Sequence, residues 1–184
     1  MISCNGSNAA LTLDGSMSFD PVTPNSGLSF QWFDEPSVLA LATGEVVTHV
    51  VFAVGPHALK LVVTNPGGLT GTDELAVDNI TLCDAIDVIM ADISNSPIPR
   101  KEMRPLLAAL KTACTSFSRG KCTAGRQQLA AFIRKVDQQL GPDGGAGPKS
   151  PPGYPAEAAR FKAGAQAILE ANAQAELLGM CACR

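Results

Sequence analysis

The chain has 184 residues, enough for one or two domains, and its 46% apolar and 17% charged content excludes a disordered chain. The net charge of −3 selects no partner, and 5% aromatic residues exclude a surface built mainly of stacking platforms for bases or sugars. Two histidines, His49 and His57, exclude a His-rich metal site, while six cysteines point to an oxidising compartment.

Charge divides along the chain. Residues 1–80 carry eight acids and one base, Lys60, a net of −7, whereas residues 81–184 carry thirteen bases and nine acids, a net of +4. A split of this kind predicts two modules. The first residues lack the basic and apolar regions of a signal peptide. Set against the cysteine count, this reads as a mature or excised fragment with a start Met added. No apolar run reaches the length of a membrane-spanning helix.

In residues 1–80 the period is two. Leu11–Leu13, Leu28–Trp32, Val46–Phe52, Leu59–Val63 and Leu75–Val77 read as short strands. Asn5-Gly6-Ser7, Asp20-Pro21, Asn25-Ser26-Gly27, Gly55-Pro56 and Asn65-Pro66-Gly67-Gly68 separate them as turns. An antiparallel β-sandwich is the expectation.

From residue 81 the period becomes 3.6. Ile86, Ile89, Met90 and Ile93 form one helix face. Met103, Leu106, Leu107, Leu110, Cys114 and Phe117 form a second, ended by Arg119-Gly120, and Leu129, Phe132, Ile133, Val136 and Leu140 a third. Residues 141–155 are rich in Gly and Pro and read as a flexible loop. Residues 155–178 are Ala-rich and read as a fourth helix, completing a small four-helix bundle.

Two resemblances follow from these runs. Leu13-Asp14-Gly15-Ser16-Met17-Ser18-Phe19-Asp20-Pro21 resembles the LDGSxSxDP opening of PKD (polycystic kidney disease) repeats. Phe30-Gln31-Trp32, Gly55–Asn65 and Gly71–Val77 resemble their later strands in the same order. This resemblance implies an Ig-like sandwich, extracellular and non-catalytic. Some members bind calcium near the acidic turn; here Asp20 and Asn65 match ligand positions and Asp14 is close in sequence, but the turn has kept one carboxylate, which equally caps the turn before Pro21. In the second half, Leu106–Ala113, Arg119-Gly120-Lys121 and Gln128–Val136 resemble the FIMAH helical module of bacterial secreted and surface proteins. That module brings no activity to carry over.

Chemistry-bearing groups are few. Six cysteines allow fifteen pairings. Cys114 and Cys122 flank a tight turn and form the most local pair; Cys83 could reach Cys181 or Cys183, and Cys4 would take the remaining one, or Cys83. Cys181-Ala182-Cys183 also fits a soft-metal or redox site, although no His lies near it in sequence. Lys101, Arg104, Lys111, Lys121, Arg126, Arg134 and Lys135 outline a basic face that suits an anionic polymer or simply meets solvent. No aromatic residues interleave with them, so no specific nucleic acid is expected. No nucleophile motif, zinc motif or phosphate loop is present. His57 reads as a packed or hydrogen-bonded ring. The adjacent acids Asp34-Glu35 and Asp73-Glu74 point to opposite faces of their strands, which leaves a cross-pair such as Glu35 with Glu74.

The expectation is a two-domain chain, an all-β Ig-like sandwich over residues 1–80 and a small all-α four-helix bundle over residues 81–184. Its role is a non-catalytic extracellular or cell-surface binding, spacer or attachment fragment of a larger bacterial protein. Its partners are neighbouring domains and a polysaccharide or other surface polymer, with calcium as the one cofactor considered. The alternative is a small hydrolase on a polysaccharide, with a site at the domain junction drawing on His57, Glu35 or Glu74.

Overall fold

A computed structural model describes residues 1–4, 6–141 and 153–177. Seven strands precede four helices: β1 (Ile2–Ser3), β2 (Asn8–Asp14), β3 (Ser29–Glu35), β4 (Ala42–Thr43), β5 (Val46–Ala53), β6 (Gly55–Thr64), β7 (Thr70–Thr81), then α1 (Leu82–Ser94), α2 (Arg100–Ser118), α3 (Cys122–Leu140) and α4 (Pro155–Leu177). The chain forms two compact units. One holds Met1 and Ser7–Asn79, and the other holds Ile2–Gly6 with the residues from Ile80 onward.

The expected sandwich followed by a bundle is corrected. The strands form a curled, mixed five-stranded sheet in the order β1-β7-β6-β3-β4, and β2 and β5 make only a two-stranded pair. Helices take 47% and strands 29% of the described residues. The physical reason lies in β7. It is twelve residues long and pairs with β6 only as far as Asn79 opposite Gly55. It runs on through Ile80 and Thr81, along which Ile2 and Ser3 pair in parallel. A two-residue strand carries no readable period, so the sequence conceals this pairing.

In the β-rich unit, alternation along β6 sends Leu59 and Leu61 inward against Leu13, Phe30, Trp32 and Phe52. The Trp32 indole N–H donates to the Gly44 carbonyl at 3.0 Å. Asn79 is buried, and its amide donates to the carbonyls of Phe52 and Ala53, each at 2.9 Å. Thr48 and His49 together face the single residue Thr12 across β2 and β5, and His49 takes a positive φ of 61°. That is a β-bulge with its extra residue in the left-handed region.

In the helical unit, Thr81 ends β7 and caps α1. Its hydroxyl accepts the Asp84 backbone N–H at 3.1 Å while Asp84 accepts the Thr81 backbone N–H at 2.9 Å. The turn after α2 is a Schellman motif. Lys121 N–H bonds Ser116 O, Gly120 N–H bonds Phe117 O, and Gly120 has φ 69°. The core joins Ile86, Ile93, Leu106, Leu110, Leu129, Phe132, Val136, Phe161 and Ile168 from all four helices, with Ile2 and Ile80 packed against it. Cys83 and Cys114 are disulfide-bonded, their Cα atoms 4.9 Å apart, which ties α1 to α2. Cys122 is a buried free thiol, so the local Cys114–Cys122 pairing is corrected, as are the pairings of Cys83 with Cys181, Cys183 or Cys4. Cys114 faces α1 across the helix pair, whereas Cys122 opens α3 with its side chain inside the core. Cys4 is likewise disulfide-bonded. Cys181, Cys183 and most of the Gly/Pro loop at 141–155 lie outside the described residues.

Candidate functional site

One end of the β-rich unit holds a cavity of ≈ 550 Å³, formed between the loop that follows β2 and the turn joining β6 to β7. Local polar chemistry shapes its walls. Asp14 Oδ1 accepts the Ser16 N–H at 2.9 Å. Asp20 Oδ1 accepts the N–H groups of Val22 and Thr23, each at 2.8 Å, and its Oδ2 accepts the Asn65 amide at 3.0 Å. Asn65 Oδ1 in turn accepts the Leu69 N–H at 3.0 Å. The Asn65 amide and then the Val22 and Thr23 N–H groups lower the Asp20 pKa; hydrogen bonds from Ser16 do the same for Asp14.

The three residues considered as calcium ligands, Asp14, Asp20 and Asn65, thus line one cavity together with Asp73. The Oδ1 atom of each is turned to loop N–H groups, and the Asn65 nitrogen points at Asp20 Oδ2. Among the described residues, no three His, Cys, Asp or Glu side chains converge as a metal-binding group. Their visible task is to brace two loops. Bracing also holds apolar side chains out in water: Met17 is 92% exposed, Phe19 82% and Leu69 74%. All three line the cavity. Sequence reasoning passed over them because Met17 and Phe19 sit inside a motif of turn residues. The apolar residues alternating with Ser16 and Ser18 in a loop were the available signal.

The residues named for hydrolysis sit elsewhere in the same unit. His57 Nδ1 lies 2.7 Å from Asp34 Oδ2 and Nε2 lies 2.9 Å from the Ala53 carbonyl, with the ring edge-on to Phe52 at 5.1 Å. Both nitrogens face acceptors, so the ring is a brace between strands and has no free lone pair for a substrate proton. Its pKa is raised, first by the Ala53 carbonyl and then by Asp34, against partial burial. Glu35 and Glu74 do come together, but on Lys60, whose Nζ lies 3.3 Å from one and 3.6 Å from the other. A glycosidase needs open space between its carboxyl groups; here an ammonium occupies it. Adjacent acids diverge as strand geometry requires. Asp34 reaches His57 while Glu35 reaches Lys60, and Asp73 lines the cavity while Glu74 reaches Lys60.

On the helical unit, Lys101, Arg104, Lys111, Lys121 and Arg134 are exposed and Lys135 is half-buried. Arg126 departs from the expected basic face, because it is paired with Glu176 on α4. No helix among the described residues is long and apolar enough to cross a membrane. Compared with protein-family models, curated proteins and solved structures, the chain matches none.

Proposed function

We propose that the chain is a non-catalytic binding and attachment fragment of a larger secreted or cell-surface protein, in line with its PKD-like and FIMAH-like motifs. The observation that carries this reading is the cavity with its apolar rim. Met17, Phe19 and Leu69 gain nothing for the core where they stand. Exposed apolar residues gathered around a concavity mark a surface that makes contact with a partner. The Cys83–Cys114 disulfide supports an oxidising, extracellular setting. A polysaccharide or another surface polymer is the partner class in this reading. The hydrolytic alternative lacks comparable support, since Lys60 fills the space between Glu35 and Glu74, and His57 is bonded on both sides.

Retention on insoluble cellulose, chitin and a protein matrix tests the reading. Wild-type protein is expected to be retained on at least one of them. The double variant Met17→Ser, Phe19→Ser is expected to wash through with an unchanged Trp32 fluorescence melt. Retention on none of the matrices, or retention unaffected by the double substitution, would overturn it.

A further inference from the structure

One side of β7 lacks a partner strand over most of its length. In the sheet order β1-β7-β6-β3-β4, β7 pairs with β6 from Thr70 to Asn79, whereas β1 covers only Ile80 and Thr81 on the other side. Along an antiparallel strand, residues turn both backbone groups alternately toward the partner and away from it. Two bonds fix the phase. The Asn65 N–H donates to the Leu69 carbonyl at 3.0 Å in the turn between β6 and β7, so Thr70, Thr72, Glu74 and Ala76 face outward. The Asp78 carbonyl accepts the Met1 ammonium at 2.7 Å on the outer side, which gives the same phase. The Glu74 N–H is taken up by Asp73 Oδ1 at 3.0 Å. The backbone groups of Thr72 and Ala76 have no such partner among the described residues.

The same stretch is open on its core side. Leu75 stands opposite Leu59, and residues paired in this way share a face of the sheet. Leu59 is 3% exposed but Leu75 is 62% exposed, since no strand beyond β7 covers it among the described residues. Gly71 and Asp73 lie on that face too, and they line the cavity with Leu61 and Val63 of β6. An unpaired edge, an uncovered leucine and the cavity therefore adjoin within the β-rich unit.

Charge narrows what can sit there. Asp73, Glu74 and Asp78 lie on β7, Asp14 and Asp20 line the cavity, and no Lys, Arg or His lines it. Lys60, the one Lys or Arg of residues 1–80, is already held by Glu35 and Glu74. The occupant that complements this site is basic. Outward N–H and C=O groups recur on an edge every second residue, roughly 7 Å apart. An extended polypeptide repeats its own groups at that spacing, and a sugar chain does not.

We infer that β7 accepts an added strand, an extended basic polypeptide segment whose alternate apolar side chains cover Leu75 and reach the cavity. This rests on the binding reading above and narrows its partner to a polypeptide. The probe is a fluorescein-labelled decapeptide of alternating Lys and Val, titrated with the 184-residue protein and followed by anisotropy. It is expected to bind more tightly than an alternating Glu and Val decapeptide, pentalysine or a glucosamine oligomer. Thr72→Pro removes an N–H that the fold does not use, at an edge position where Pro is tolerated. It is expected to weaken binding about tenfold, the worth of one backbone hydrogen bond near the top of its range. Thr72→Ala keeps the N–H and is expected to leave binding unchanged, and the Trp32 fluorescence melt verifies folding of both variants. Two modified peptides, one N-methylated on its Lys residues and the other on its Val residues, need no variant. Only one row of N–H groups faces β7, so one of these peptides is expected to lose binding and the other to keep it. No binding of the alternating peptide, equal affinity of folded Thr72→Pro and Thr72→Ala, equal behaviour of the two methylated peptides, or tighter binding of the glucosamine oligomer would overturn the inference. If any of these results is found while Met17→Ser, Phe19→Ser still abolishes matrix retention, strand addition fails and the binding reading stands.

Discussion

The two units place their apolar residues differently. Among the described residues of the helical unit ten apolar side chains, with Ile86, Leu106, Phe132 and Leu140 among them, are completely removed from water, and two large ones are exposed. In the β-rich unit no apolar side chain is completely buried, the nearest being Phe52 at 2%, and eleven large ones are exposed. The helical unit thus meets solvent with charged, polar and small side chains, and the β-rich unit adds large apolar ones. A helix buries a stripe along its whole length, whereas a short strand buries alternate residues and leaves its loops outside. In the proposed binding role, the exposed apolar side chains of the β-rich unit are the contact surface.

Deep truncation should separate the units most strongly. Phe132→Ala removes a ring from a closed core and is expected to cost about 3–5 kcal/mol. Phe52→Ala is expected near the lower end of that range, because its surroundings are thinner and partly polar. Denaturant unfolding followed by circular dichroism at the helix band reads the first. The fluorescence of Trp32, the single tryptophan, reads the second. A larger loss for Phe52→Ala would break the comparison.

The disulfide comes next. Cys83 and Cys114 are 31 residues apart, and closing a loop of that size stabilises by about 3–4 kcal/mol in the chain-entropy picture. The double variant Cys83→Ala, Cys114→Ala is expected to lower the helix-band unfolding midpoint accordingly. A midpoint unchanged by the double substitution would show that α1 and α2 are held by packing alone.

Element positions were legible where a period repeats. Ile86, Ile89 and Ile93 mark α1, and Leu59 with Leu61 mark the inward face of β6. Gly120 announced the end of α2 because a left-handed residue follows a helix there. What depends on distant pairing was not legible. Ile2-Ser3 joins Ile80-Thr81 across nearly eighty residues, and no local pattern encodes that. The Cys83–Cys114 bond was hidden for the same reason, since nearness in sequence favoured Cys122. The cavity was half legible: Asp14, Asp20 and Asn65 could be named, while their role as loop braces needed the geometry.

The junction between β7 and α1 gives a smaller effect. Thr81→Ala removes the hydroxyl that accepts the Asp84 N–H and is expected to cost about 1 kcal/mol. Thr81→Ser keeps that acceptor and is expected to restore most of the loss in the same helix-band measurement. A Ser variant as weak as the Ala variant would mean that the methyl group, and not the cap, matters.

Acidity provides the finest distinction. Asp14 and Asp20 in the β-rich unit and Asp84 in the helical unit all have lowered pKa values, owing to hydrogen bonds donated to them. Each contributes stability that is present above its unfolded value of 3.8 and is lost as pH falls through the folded value. Acid therefore weakens both units and separates neither. His57 acts in the opposite direction. Its folded pKa is raised above 6.5, so its contribution is complete below 6.5 and is lost as pH rises through the folded value. Both ring nitrogens must carry protons to donate to Ala53 and Asp34 together, so deprotonation leaves one of these contacts without a hydrogen. Both histidines of the chain fall in the β-rich unit. The Trp32 unfolding midpoint is therefore expected to drift downward as pH rises above 6.5, and His57→Gln to flatten that drift. A slope that survives the substitution would move the titration to another group and take from His57 its role as a charged brace between β5 and β3.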